Sequence, residues 1–460
     1  MQPITSPLET RRVPASLRFS RRRLLGSGLA VGAAVTGGGA RLWSATARVQ
    51  AATEQQPPGA SLPVTGQPVP QLVAFDQVIQ QVMARWGLKG GALALAKDGR
   101  LVFSHAYGLA DVEANQPFLP SSLCRIASDS KPFTAMTILR LMDAGRLSLG
   151  DKAFRILTGL QPPANASIDP RLDDITIQNL VQHTGGWDST KSFDPQYPPY
   201  TFWEAGTLGV AAPPTAEQII RFMLSQPLDF TPGTKYVYSN FGYNVLGRVI
   251  ERITGMSYGD AVQQLVLAPS GISDMLLGRT RLEDRLPGEV RYVNLPDQAL
   301  VPSVFPAVGY VPNGYGGYYM EALDAHGGWI ATAEDQIRLA TAVDGQRGTA
   351  LLKPATVDAM LHTPIPQEIG AAGAGNATPV SGLGWGVRPE GDGLSWSHAG
   401  ALEGACASWI IRRPDGATIS FVFSSLPSDY GSFFGDITPA LTKTADGIPD
   451  WPAFDLFEGP

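Results

Sequence analysis

The stretch Arg125-Ile126-Ala127-Ser128-Asp129-Ser130-Lys131-Pro132-Phe133-Thr134 sets a hydroxyl and an ammonium three residues apart, ahead of a run with apolar Ala135, Ile138, Leu139 and Met142. That spacing predicts a helix carrying Ser128 and Lys131 on one face, within about one turn of each other. A serine at a helix start also feels the positive end of the dipole, which favours a developing alkoxide. A lysine beside it can take the serine proton if its own pKa is lowered. Ser130 is a rival nucleophile, but as the immediate neighbour of Lys131 it points elsewhere on the helix. By itself S-x-x-K is frequent by chance, so its meaning depends on the motifs further along the chain.

Two later triplets supply that context. Tyr238-Ser239-Asn240 follows a Pro232-Gly233 turn and precedes a helical run with Val245, Leu246, Val249 and Ile250. A phenol near an ammonium has its phenolate stabilised and can act as a base. The Asn240 carboxamide two residues on can hold the lysine or accept a substrate amide. A second Y-x-N, Tyr292-Val293-Asn294, lacks both the turn and the helix. His398-Ala399-Gly400 follows the strand-like Leu394-Ser395-Trp396-Ser397, whereas His183-Thr184-Gly185 and His326-Gly327-Gly328 do not follow strands. Glycine at 400 would let a substrate backbone or acyl group approach closely.

In this order the three motifs resemble those of serine β-lactamases and penicillin-binding proteins, in the branch with tyrosine in the middle motif. That branch holds class C β-lactamases, D-alanyl-D-alanine carboxypeptidases, D-aminopeptidases and related esterases. Two more blocks extend the resemblance over roughly residues 75 to 430. Ile175-Thr176-Ile177-Gln178-Asn179-Leu180-Val181-Gln182-His183-Thr184-Gly185-Gly186 is similar to the family's I-T-I-x-x-L-L-x-H-T-S-G block. Gly327-Gly328-Trp329-Ile330-Ala331-Thr332-Ala333-Glu334-Asp335 is similar to its G-G-L-x-S-T-A-x-D block. The resemblance implies acyl transfer with Ser128 as nucleophile and Lys131 and Tyr238 managing protons. It further implies substrate orientation by Asn240, His398 and Gly400, and an oxyanion hole of the Ser128 and Ala401 backbone N–H groups. No metal or organic cofactor is implied. Class C β-lactamases begin the third motif with lysine, whereas this chain has His398. A histidine supplies positive charge only below its pKa, so the expected substrates are D-amino-acid peptides or amides and short-chain esters. A class C-type β-lactamase is the alternative. A non-catalytic penicillin-binding or sensing module would be expected to lose the nucleophile or the lysine, and both are present.

The chain has 460 residues and a formal net charge of −6, unevenly spread. Residues 1–47 hold seven arginines, no lysine and one acid, Glu9, so the remainder carries 28 basic against 40 acidic side chains. Such a body lacks the footprint for nucleic acid or anionic lipid and fits a small-molecule or short-peptide substrate. The basic end reads as an export signal. Arg21-Arg22-Arg23 precedes the glycine-diluted apolar run Leu24 to Val35, and Ala45-Thr46-Ala47 comes after it. That layout resembles a cleaved twin-arginine leader. The apolar run is too short for a span of about 20 residues, which implies a periplasmic or secreted bacterial protein with no stable membrane span after cleavage. The two cysteines, Cys124 and Cys406, read as small buried hydrophobes rather than an obligatory bridge. The five histidines lack zinc-ligand spacing.

Strand signals cluster at both ends of the remaining chain. The run Gly91 to Ala96 meets Leu101-Val102-Phe103 across Lys97-Asp98-Gly99, a hairpin signal. Ser408 to Ile411 meets Thr418 to Phe423 across Pro414-Asp415-Gly416. The expectation is an α+β fold, an antiparallel sheet flanked by helices with an inserted, mainly helical lobe. A linker at 48–70 would lead into one unit at 71–445. Its sheet lobe would comprise about 71–130 and 325–445, its helical lobe about 131–325, and 446–460 would form a tail. Trp187, Phe202, Trp203, Tyr310, Tyr315, Tyr318 and Tyr319, in two long aromatic-rich stretches, are candidates to line an apolar acyl pocket.

Overall fold

Asp98 and Gly99, with φ of 51° and 80°, close a two-residue turn between strands β2 (Gly90–Lys97) and β3 (Arg100–Asp111), the geometry that suits the strands' own twist. A computed structural model describes this hairpin and the rest of residues 62–366 and 380–458; the proposed leader at 1–47 lies outside the described residues. The hairpin belongs to an eight-stranded antiparallel sheet. Its other long members are β4 (Gly386–Glu390), β5 (Gly393–Leu402), β6 (Cys406–Arg412) and β7 (Ala417–Phe423). With the edge strand β1 (Val64–Gly66), the order is β1-β3-β2-β7-β6-β5-β4, and the short Gln116–Pro117 strand pairs with β3. The C-terminal β7 therefore lies beside the N-terminal β2, and everything between β3 and β4 is an insertion in one sheet. β1 corrects the linker assignment at its end: Val64–Gly66 pairs with His105–Tyr107, because β3 leaves an open edge that the extended chain completes.

The alternation of β2 explains how two layers cover this sheet. Leu93 and Leu95 face an outer cluster with Phe75, Ile79 and Val82 of helix α1 (Val73–Trp86) and with Phe433, Phe434 and Ile437 of the C-terminal helix. Ala92, Ala94 and Ala96 face the opposite cluster, which runs into the inserted lobe. The small side chains let helices approach that face closely. There lies α2 (Ser130–Asp143), buried along nearly its whole length, with Pro132 in its first turn, where a missing N–H is tolerated. Beside it runs α3 (Asn240–Thr254), N-capped by the Ser239 side chain and ended by Gly255 at φ 75°. The helix α4 (Ala333–Ala342) starts in a capping box made by Thr332 and Asp335. The chain closes with α5 (Tyr430–Asp446), after which Asp455 accepts from the Leu101 N–H. Cys124 and Cys406 are buried free thiols.

Phe421, fully buried on β7, touches Trp409, Phe423, Phe433 and Phe434. Phe421→Ala is expected to lower stability by about 3–5 kcal/mol, read as a fall in the denaturant midpoint at unchanged slope. A loss under about 1 kcal/mol would show that the outer layer collapses into the space.

Candidate active site

The turn that delivers Ser128 is short and strained. Ala127 adopts φ 45°, rare for a residue with a Cβ, and Ala127–Asp129 forms one 3-10 turn leading into α2. Its approach is fixed from outside: Cys124–Arg125 pairs with Ile330–Ala331, and the Ile126 N–H donates to the Trp329 carbonyl. Arg125, itself buried, donates to the carbonyls of Gly314 and Arg279 and lies over the Tyr292 ring. Tyr292, the rival Y-x-N tyrosine, is thereby structural; its hydroxyl donates to Glu289. Ser128 is left half-buried and open to a cleft, while Ser130 accepts from the Trp329 N–H and is buried.

Lys131 is fully buried. Its Nζ lies 3.0 Å from Ser128 Oγ, 2.8 Å from Asn240 Oδ1 and 2.9 Å from the His326 carbonyl. It also sits 4.7 Å from the Tyr238 ring centroid. Burial holds its pKa down to about 7, against the opposing pull of Asp194 and Asp129. The Tyr238 hydroxyl donates to Ser128 Oγ at 2.7 Å. Burial pushes its phenol well above the ordinary range, and the Ser128 hydrogen bond only partly offsets this. The two shifts run in opposite directions. Burial favours the neutral amine of Lys131 and the protonated phenol of Tyr238.

Asn240 opens α3, so the helix start that follows Tyr238 aims its amide into the site. Its Oδ1 meets Lys131 and its Nδ2 donates to Asp194 Oδ2 at 2.8 Å. Both ends of the amide are engaged by protein, so Asn240 holds the lysine. Across the cleft, β5 carries His398, whose Nδ1 lies 3.2 Å from Asp129 Oδ1. Buried Asp129 is also 2.7 Å from Ser408 Oγ, which lies 2.7 Å from the Ile126 carbonyl as well. With Nδ1 turned to Asp129, Nε2 is the ring nitrogen left for the cleft. Exposed Ala401 and Ser128 line the same part of the cleft.

Gly400 also answers a packing constraint within the protein. A Cβ there would sit 2.0 Å from the Ile126 carbonyl oxygen and 2.3 Å from Ser408 Oγ. The close approach that glycine permits is that of the nucleophile's own turn, because β5 packs directly on it. The reading of the aromatic stretches also needs correction. Phe202 and Tyr318 line the cavity beside Ser128, but Trp187 packs on Phe241, Trp203 on Phe222, and Tyr310 is exposed. Tyr315 lies over Tyr292 and Tyr319 over Phe305.

The cleft has two lobes that share Tyr238, Ala399 and Phe434. One, about 810 Å³, contains Ser128 and is walled by Tyr197, Phe202, Tyr318, Leu402, Leu426 and Phe434. The other, about 550 Å³, presents His398, Ser395, Ser397 and Arg388. Arg388 has no ion pair among the described residues, and burial lowers its pKa. Three site residues were given no role from the sequence: Asp129, Asp194 and Arg388. Asp129 stood inside the quoted motif, yet nothing local shows that a strand 269 residues away supplies its partner. Among the described residues no group of three or more His, Cys, Asp or Glu could hold a metal ion.

The Beta-lactamase family model matches residues 75–438. The chain belongs to the beta-lactamase family. It is thus a member of a family of serine hydrolases that transfer acyl groups. It is 28% identical over 403 residues to "Esterase EstB" of Burkholderia gladioli, covering 80% of this chain and 93% of that protein. It is 30% identical over 196 residues to "Penicillin-binding protein 4*" of Bacillus subtilis, covering 42% of this chain and 39% of that one. Among solved structures, the D-amino acid amidase of Ochrobactrum anthropi SV3 complexed with D-phenylalanine superposes with TM-score 0.63 at 22% identity, covering 83% of this chain and 99% of that one. At that identity the likeness carries the fold alone.

Gly400→Ala should force β5 and the nucleophile turn apart, with a fall in Tm and at least about a tenfold loss of acyl transfer. Wild-type Tm and rate would show that the contact has slack.

Proposed function

We propose that this chain is an exported serine hydrolase in which Ser128 forms an acyl-enzyme, with esters of apolar acyl groups as its main substrates. The observation that carries the mechanism is the partner set of Lys131. A neutral amine has two N–H donors and one lone pair. Two of its neighbours, Asn240 Oδ1 and the His326 carbonyl, only accept, and the third is the Ser128 hydroxyl. A neutral Lys131 therefore directs its lone pair to Ser128 and takes the serine proton as Oγ attacks the carbonyl. The backbone N–H groups of Ser128 and Ala401 receive the oxyanion, where one such donor is worth about 3–4 kcal/mol. Tyr238, protonated at rest, gives its proton to the leaving oxygen, and the Lys131 ammonium replaces it. Water then cleaves the acyl-enzyme by the reverse proton path.

Support for an ester comes from the apolar lobe at Ser128, which suits an acyl chain better than a polar peptide. The relative named as an esterase, matched over 93% of its length, points the same way. A second reading, D-amino-acid peptides or amides, is favoured by Arg388 and His398 in the other lobe, where a leaving-group carboxylate would find a half-desolvated guanidinium. Export rests on the arginine-rich residues 1–47. Among the described residues no helix is long and apolar enough to cross a membrane.

The test is a kinetic panel of p-nitrophenyl esters of graded acyl length, D-alanyl-D-alanine peptides, D-amino-acid amides and a chromogenic β-lactam. Esters should show the highest kcat/KM, and Ser128→Ala should abolish turnover and acyl-adduct formation. Peptides outrunning esters would reverse the assignment, and full activity in Ser128→Ala would remove the nucleophile. Only unprotonated Lys131 accepts a proton, so kcat/KM should rise with pH and level off above a limb near 7. A flat profile from about pH 5 to 9 would rule out that base. If the second reading applies, Arg388→Ala should lower the peptide-to-ester rate ratio at least about tenfold, and an unchanged ratio would dismiss it.

A further inference from the structure

His183 lies in the block from Ile175 to Gly186, just past the helix Ile177–Val181, and the mechanism above does not use it. It is buried, and its backbone adopts φ 58°, a left-handed conformation that residues with a Cβ rarely take. That conformation brings two acceptors of one residue to the same neighbouring segment. The His183 carbonyl accepts from the Val237 N–H at 2.9 Å, and its Nδ1 accepts from the Ser239 N–H at 3.1 Å. These two amides flank Tyr238. The imidazole also lies against the Tyr238 ring, centroids 4.5 Å apart and planes 31° from parallel. On its other side it stacks on Tyr243 at 5.0 Å, and Tyr243 is held by a hydrogen bond to the Val181 carbonyl at 3.0 Å.

We propose that His183 is a positioning residue for Tyr238, gripping the backbone on both sides of the tyrosine and backing its ring so that the phenolic oxygen stays on Ser128. The inference rests on the proton-handling role proposed for Tyr238. An acceptor at Nδ1 requires the proton on Nε2, so the clamp works with neutral imidazole. Burial is the main feature that keeps the ring in that form, and any positive charge on Lys131 or His398 further disfavours a second proton. The adjacent side chains add less to this grip, since Ser239 Oγ caps α3 and Tyr236 meets His183 only edge-on. Misplacing a catalytic group by a fraction of an ångström is enough to slow a reaction severely while leaving substrate binding alone.

The experiment is a double-mutant cycle on a p-nitrophenyl ester, with Tm measured for every variant. His183→Phe keeps a ring but loses the acceptor, and should lower kcat at least about tenfold with KM within about twofold of wild type. His183→Asn tolerates the left-handed backbone and offers Oδ1 to Ser239, so it should recover most of that loss. In a Tyr238→Phe background, both substitutions should change kcat by less than about twofold. Wild-type kcat in His183→Phe, or an equal loss with and without the Tyr238 hydroxyl, would overturn the clamp. If His183→Phe fails to fold, His183→Asn run through the same cycle decides: a loss that persists in Tyr238→Phe overturns it. Full activity of Tyr238→Phe alone would instead remove the reading of Tyr238, and the inference with it.

Discussion

A lysine head group buried away from the surface is the constraint around which the site is organised. Lys131 lies wholly inside the protein, where an unpaired charge would cost several kcal/mol. The protein meets this partly with acceptors and partly by lowering the charge itself. Asn240 reaches it from the start of α3, the His326 carbonyl from the short turn ahead of α4, and the Tyr238 ring covers a third side. Each comes from a different part of the chain, so the seat of the lysine exists only in the assembled tertiary structure. The pressure that burial puts on the charged form brings the amine near neutrality next to a serine hydroxyl.

The sheet contributes through close approach rather than through charge. β5 can lie against the nucleophile turn only because residue 400 has no side chain, and the turn can present Ser128 only because Ala127 takes a strained backbone. Asp129 exploits the same proximity. Its carboxylate, buried between Ser408 and His398, links the first motif to the third. A lysine in place of His398 would bring a fixed charge on a long stem. The imidazole is instead tied back through Nδ1, and the fixed cation of that lobe is Arg388 on the adjacent strand β4. The lobe with His398 and Arg388 carries charged and hydroxyl groups among apolar walls such as Val181, Trp385 and Ile411, whereas the lobe at Ser128 is walled mainly by aromatic and aliphatic groups. That asymmetry makes substrate choice a matter of which lobe contributes more to the transition state.

Much of this was legible in the linear chain. The alternation of Ala and Leu in β2, the Asp98-Gly99 turn and the Pro-Asp-Gly turn at 414–416 dictate a two-faced antiparallel sheet, because side-chain period and turn chemistry are local properties. The three-residue spacing of Ser128 and Lys131 is equally local, as is the helix start at Asn240. The order of the three motifs identified the kind of chemistry.

Tertiary structure alone decided whatever depends on distance between segments far apart in sequence. Whether Tyr238 is an acid or a base depends on how deeply it is buried, which no motif encodes. The spacing around Gly400 is the same in sequence whether a substrate or Ile126 fills it. Asp194, in the long Pro- and aromatic-rich stretch, becomes part of the site only when Asn240 turns its Nδ2 toward it. His183 was visible as a member of a block, but its grip on both sides of Tyr238 needs a left-handed backbone and a neighbour more than fifty residues away. Composition and spacing determine which groups can do chemistry. Burial and contact determine which protonation state each one brings to it.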